Sequence, residues 1–206
     1  MFIAILLLFL NVGISWFNAW SVGRSWADSK AMGGWARMLA WCGAIMSACG
    51  FTYVYLTILS MAAVSFHFLP PQYARATLEL GYVMIILPLL GSGLGITISS
   101  ITAAWRRRDL MSIGMAGYNT YAQIYNTYAA ATTLPGVLRD LNKTFNTDDE
   151  DSGPATYLVI LLVAFALGGG ILTTAAIIRA TARKYAQTVQ ASFTSGQSLY
   201  GWRAAR

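Results

Sequence analysis

Residues 118–131 read YNTYAQIYNTYAAA, a seven-residue unit, YNTYAxx, written twice. From Leu110 to Leu138, around this repeat, the chain carries no charged side chain. Whether the stretch crosses a membrane, lines a path or lies flat on a surface decides the topology of the chain.

Apolar segments flank it on both sides. Of the 206 residues, 56% are hydrophobic and 11% charged, with a mean hydropathy of +0.53. Ordinary soluble domains carry about 25% charged residues. A soluble fold of this size needs a polar exterior that this composition cannot supply, so the chain reads as an integral membrane protein. A bilayer core about 30 Å thick needs about 20 apolar residues per helix. Four runs satisfy this, at roughly 2–20, 36–66, 78–104 and 155–178. The second is long enough to tilt or project. Pro70-Pro71 separates the second from the third, Pro88 predicts a kink in the third, and Ser152-Gly153-Pro154 marks the start of the last. The opening segment, MFIAILLLFLNVGISW, lacks a basic n-region and an Ala-x-Ala site, and reads as an uncleaved first membrane helix.

The formal charge is +6, but the basic residues form short clusters beside apolar runs rather than a stripe for nucleic acid. Arg24, Lys30 and Arg37 follow the first run; Arg106, Arg107 and Arg108 follow the third; Arg179, Arg183, Lys184, Arg203 and Arg206 follow the last. By the positive-inside rule all three clusters belong in the cytoplasm. With the N-terminus outside, the first two clusters agree with three crossings. The last agrees only if the chain crosses again before Pro154. The charge-free segment, at about 111–136, supplies that weaker, polar span. Arg75, Arg139 and Lys143 then fall outside with Glu79, Asp140, Asp148, Asp149, Glu150 and Asp151. Trp16, Trp20, Trp35, Trp41 and Trp105 fall near the cytoplasmic ends, as an interfacial belt does.

At 100° per residue, Ser112, Asn119, Gln123, Asn126 and Thr133 share one stripe, with Ala116 and Ala130 between them. Tyr121, Ile124 and Tyr128 take the opposite side, and Tyr118 and Tyr125 flank. A polar, uncharged face at bilayer depth must be satisfied by other helices or by water. Three readings follow: a span packed through interhelical hydrogen bonds, against the second, third and fifth helices or a neighbouring subunit; a span lining a water-filled path; or a helix lying at the interface or in a hairpin. Only the first two reconcile the basic clusters.

Catalytic chemistry finds little footing. His67 is the one histidine, short of a haem or zinc set, and reads as an interfacial residue. Cys42 and Cys49 lie seven apart on one helical face, about 10 Å, too far for a disulfide, and read as reduced packing residues. The acidic stretch NTDDEDSG (146–153) starts like a calcium loop, but Val159 stands where its closing Glu belongs, so it reads as a solvated loop. Asn142-Lys143-Thr144 forms a glycosylation sequon on the outer side. There is no GxSxG, no P-loop and no carboxylate pair, and no charge lies mid-span, which argues against enzymes and ion-coupled transporters. The sequence therefore assigns no catalytic, cofactor-binding or metal residue. Small-residue spacings are plentiful: Gly91-x-x-x-Gly95, Ala164-x-x-x-Gly168 and Ala166-x-x-x-Gly170 let helices approach closely in lipid.

The expected architecture is all-α: a polytopic membrane bundle over residues 1–193, whose fifth helix extends into the cytoplasm. A basic, flexible tail at 194–206 is attracted to anionic lipid. The expected partners are the bilayer and other membrane subunits, in a homo- or hetero-oligomer. The expected role is a non-enzymatic scaffold or pore-forming subunit of a larger assembly in a bacterial inner membrane, such as a secretion, conjugation or phage-related machine. A channel for small neutral solutes lined by the Asn/Gln/Thr stripe, and a holin-like permeabiliser, are the other classes.

Overall fold

Each apolar run becomes one helix, and so does the polar segment. The computed structural model describes residues 2–32, 34–146 and 152–194. They form α1 (Phe2–Met32), α2 (Gly34–Ser65), α3 (Pro71–Arg107), α4 (Leu110–Phe145) and α5 (Ser152–Thr194). Thr147 and the acidic residues 148–151, and the expected tail beyond Thr194, lie outside the described residues. Stretches of α1, α2, α3 and α5 are long and apolar enough to cross a membrane, and the molecule is an all-α integral membrane bundle.

The helices outrun their apolar runs because hydropathy measures bilayer thickness, whereas a helix stops where its backbone is capped. α3 begins at Pro71, with Pro70 as its N-cap, several residues before the predicted 78. A proline at the first helical position has no N–H to lose. That extra length carries Arg75, one turn before Glu79. α2 ends in a Schellman turn around His67, whose φ is 58°. The Phe68 N–H donates to the Ala63 carbonyl (2.9 Å) and the His67 N–H to that of Val64 (3.0 Å). α3 and α4 are joined by two residues. Arg108 turns left-handed (φ 54°) and its N–H donates to the Ala104 carbonyl at 2.9 Å. Asp109 caps α4 by accepting from the Ser112 N–H at 2.8 Å.

α2 is the central helix, packed by α1, α3 and α5; α1 also packs on α5, and α3 more lightly on α5. α4 is outermost and lies along α3. Only its last turn reaches further, where Phe145 meets the cluster of Ala63, Leu69, Tyr73, Ala74 and Val159. The polar helix is thus not lodged among the second, third and fifth helices, because α1, α3 and α5 already occupy the sides of α2.

Backbone approach holds the core together. A Cβ on Gly170 would sit 2.7 Å from the Ala48 carbonyl oxygen, and one on Gly23 would sit 2.8 Å from that of Ile178. α5 therefore presses directly on α2 and α1. Of the expected packing residues, Gly170 and Gly95 do lie at helix contacts, the latter facing Cys42, whose sulfur would be 2.6 Å from a Cβ at position 95. Ala164 and Gly91 are exposed, and the space beside Gly91 and Gly168 is open. Gly23, Gly43, Gly50, Gly81 and Gly169 also lie at close contacts.

Candidate functional site

The polar residues at bilayer depth occupy two places: the seam between α3 and α4, and the junction of α1, α2 and α5. In the first, Ala116 and Ala130 are buried against α3, and Gln123 lies between them over Gly93, where a Cβ would strike its amide oxygen. The absent side chain at 93 makes room for the Gln123 Nε2 to donate to the Leu90 carbonyl at 3.1 Å. One and two turns away, Asn119 Nδ2 donates to Ser100 Oγ (3.1 Å) and Thr97 Oγ1 donates to the Asn119 carbonyl (3.2 Å). At the far end the Arg75 guanidinium joins Glu79 (2.6 Å) and Asp140 (2.5 Å), linking α3 to α4. These contacts run from residue 100 to residue 75 of α3, so a layer that α3 crosses is crossed by α4 as well.

The expected stripe thus divides. Asn119 and Gln123 bond to α3. Ser112 is held locally by Asp109, its Oγ donating to Oδ2 at 2.8 Å. Asn126 is half-buried without an interhelical hydrogen bond, and Thr133 is exposed. The Ser112 N–H, and then its hydroxyl, hold the Asp109 carboxyl below its ordinary value of 3.8.

The opposite face of α4 is exposed and meets no other helix among the described residues. Tyr118, Tyr121, Tyr125 and Tyr128 are 64, 68, 59 and 69% exposed, and the rings of Tyr121 and Tyr125 stack at 6.4 Å. None of the four hydroxyls finds a hydrogen-bond partner among the described residues. Their depth follows from charge. Midway between Asp109 and Arg139 stands Ile124; midway between Glu79 and Arg106 stands Gly93, the residue under Gln123. The middles of the two stretches thus lie side by side, and the four tyrosines fall within about 9 Å of Ile124 along the helix axis at 1.5 Å per residue. A hydroxyl without a partner in hydrocarbon costs roughly 2–7 kcal/mol.

In the second place, Ser47 is fully buried. Its hydroxyl donates to the Ser15 carbonyl (2.8 Å) and meets the Thr174 hydroxyl (3.0 Å), joining α1, α2 and α5. Tyr55 and Thr173 bond at 2.8 Å on the same α2–α5 contact. Above it a groove opens between α1 and α3 with α2 as its floor, in two parts of about 460 and 270 Å³ that share Asn18. Asn11, Ser15, Asn18 and Ser25 line it from α1. Sequence reasoning passed over these residues, although their spacing of four, three and seven places them on one helical face.

Basic residues of α1, α2, α3 and α5 gather at the end opposite Arg75. Arg179 lines a pocket with Trp26 and Trp41, whose rings meet edge to face at 5.7 Å, and Arg24 lies over Trp20 at 5.6 Å. Ser25 and Ala36 share a groove with Ala103, one turn from Arg106 and Arg107. Arg183 and Lys184 continue outward on α5 and are exposed. Arg24 and Arg37, Arg106 to Arg108, and Arg179, Arg183 and Lys184, one group from each cluster that the sequence sends to one side of a membrane, lie at one end of the bundle, while Arg203 and Arg206 lie outside the described residues. Cys42 and Cys49 are buried free thiols, and His67 is exposed at its turn. Among the described residues, no three His, Cys, Asp or Glu side chains gather into a group that could hold a metal.

The arrangement offers hydroxyl and amide hydrogen bonding at bilayer depth, with charge confined to the two ends. No family model, no curated protein and no solved structure matches this chain.

Proposed function

We propose that this chain is a non-enzymatic integral membrane subunit of a larger membrane-embedded assembly, oriented with its N-terminus outside and its C-terminus in the cytoplasm. The observation that carries the reading is the outer face of α4. It presents four tyrosines with unpartnered hydroxyls at the depth of the hydrocarbon core, a face that lipid solvates poorly and a protein surface solvates well. The orientation is supported by the described basic residues of the three clusters, which gather at one end. The setting proposed is a bacterial inner membrane, with the assembly a secretion, conjugation or phage-related machine. Asn119 and Gln123 favour this subunit role over a solute path lined by the same stripe, since both amides are engaged by α3.

The test is extraction in a mild detergent that preserves membrane complexes. The expected result is a particle several times the 22.4 kDa of one chain after allowance for bound detergent. A monodisperse single chain would refute the proposal.

A further inference from the structure

We propose, resting on the subunit reading above, that the tyrosine face of α4 is a homotypic interface. In it α4 pairs in parallel with α4 of a second copy, about a twofold axis along the membrane normal.

The repeat has a second meaning once α4 is seen on α3. Its period is seven, the period of a helix seam that stays in contact with a partner helix through left-handed supercoiling. With Tyr118 and Tyr125 at the first heptad position and Tyr121 and Tyr128 at the fourth, the same two positions are Met111, Gly114, Thr132 and Pro135 before and after. All eight residues are exposed. Of the residues that touch α3, Ala116, Gln123 and Ala130 fall at the sixth position and Asn119 at the second, on the far side of the helix. One face of the heptad is therefore occupied by α3, and the opposite face is an unbroken, unoccupied seam.

The chemistry of that seam fits its own copy. A phenol both donates and accepts, so tyrosine facing tyrosine across a twofold needs no second kind of side chain. No charge lies between Leu110 and Leu138 to repel a copy or to select a different partner. The flanking positions include Gly117, Ala122, Ala129 and Ala131, which let two backbones approach. Copies inserted by the same charge rule share one orientation, so the pair is parallel and its tyrosines are in register. The outward faces of α1, α3 and α5 carry chiefly aliphatic and phenylalanine side chains at this depth, which lipid covers without a partner.

The test is disulfide trapping in native membranes. In a Cys42→Ala/Cys49→Ala background, single cysteines replace Tyr118, Tyr121, Tyr125 or Tyr128, and Ala116, Gln123 or Ala130 as controls. Oxidation is expected to give dimers at the four tyrosine positions and none at the three controls. No dimer at any tyrosine position, or equal dimer at the controls, overturns the pairing. Modification of Tyr121→Cys and Tyr125→Cys by a charged, membrane-impermeant thiol reagent also overturns it, because the face then lines water. Wild-type size in mild detergent separates the two proposals. A large particle without homotypic disulfides removes the pairing alone, whereas a single chain removes both. As a measurement independent of disulfide formation, Förster transfer between labelled copies in liposomes is expected to show association weakened about tenfold for Tyr121→Ala/Tyr125→Ala with helix content retained. Transfer equal to wild type overturns the proposal.

Discussion

At the scale of single residues, glycines sort by what faces them rather than by the motif that contains them. Gly168 and Gly170 belong to one run, GGG, yet of the two only Gly170 lies against backbone, where an added Cβ would sit 2.7 Å from the Ala48 carbonyl oxygen. Carbonyl oxygen cannot swing aside as a side chain can. Gly170→Ala is therefore expected to destabilise by about 1–3 kcal/mol. Gly168→Ala, with open space beside it, is expected to be neutral or to gain up to about 1 kcal/mol from helix propensity. Thermal unfolding of both variants in detergent checks the contrast. The same logic sets a smaller effect at the α3–α4 seam. Gln123→Leu removes the hydrogen bond to Leu90 but keeps the volume, so a loss of about 0.6–1.7 kcal/mol is expected in the same assay. The sequence identified Gln123 and Asn119 as one stripe because 100° periodicity is a local property. It could not separate Gly170 from Gly168, because both satisfy a small-residue spacing and only a neighbour distinguishes them.

Element ends carry two further predictions. α2 closes with His67 at a positive φ, where a side chain is strained and glycine is not. His67 is exposed, so nothing is lost with its ring. His67→Gly is expected to stabilise the α2–α3 turn by about 1 kcal/mol, read as a raised thermal midpoint. α4 opens on Asp109, whose carboxylate accepts from the Ser112 N–H and hydroxyl and so titrates below 3.8. A carboxyl depressed in the folded state stabilises fully above its unfolded value, and that contribution is lost as pH falls through the lowered folded value. Thermal midpoints measured from pH 6 down to about 3 are thus expected to fall less in Asp109→Asn than in wild type, because asparagine caps without titrating. Equal acid sensitivity in the two proteins would contradict the assignment. The helix boundaries at Pro71 and Arg108 were the least legible parts of the elements. The apolar run ends at the edge of the bilayer, while the helix continues until a proline or a left-handed residue ends it.

For the whole molecule, the prediction is topological. Asp109 and Asn146 flank α4, and α4 lies along α3 over its full length. Asp109→Cys and Asn146→Cys, each in the cysteine-free background, are expected to react with an impermeant maleimide from opposite sides of intact cells. Labelling from one side would place α4 outside the membrane. The number of helices and the two-faced character of α4 were determined by the sequence alone. Charge clusters must lie at membrane surfaces and a repeated heptad fixes which side chains share a face, and both constraints act along the chain. The tertiary structure decided what each face meets. It set α4 on α3 at the rim of the bundle, gave Gln123 its place over Gly93, revealed the Asn11–Asn18 groove, and left the tyrosines outward. Periodicity states the composition of a face, but contact is a property of two helices together, and in lipid it is chosen by close packing and hydrogen-bond satisfaction rather than by hydrophobicity.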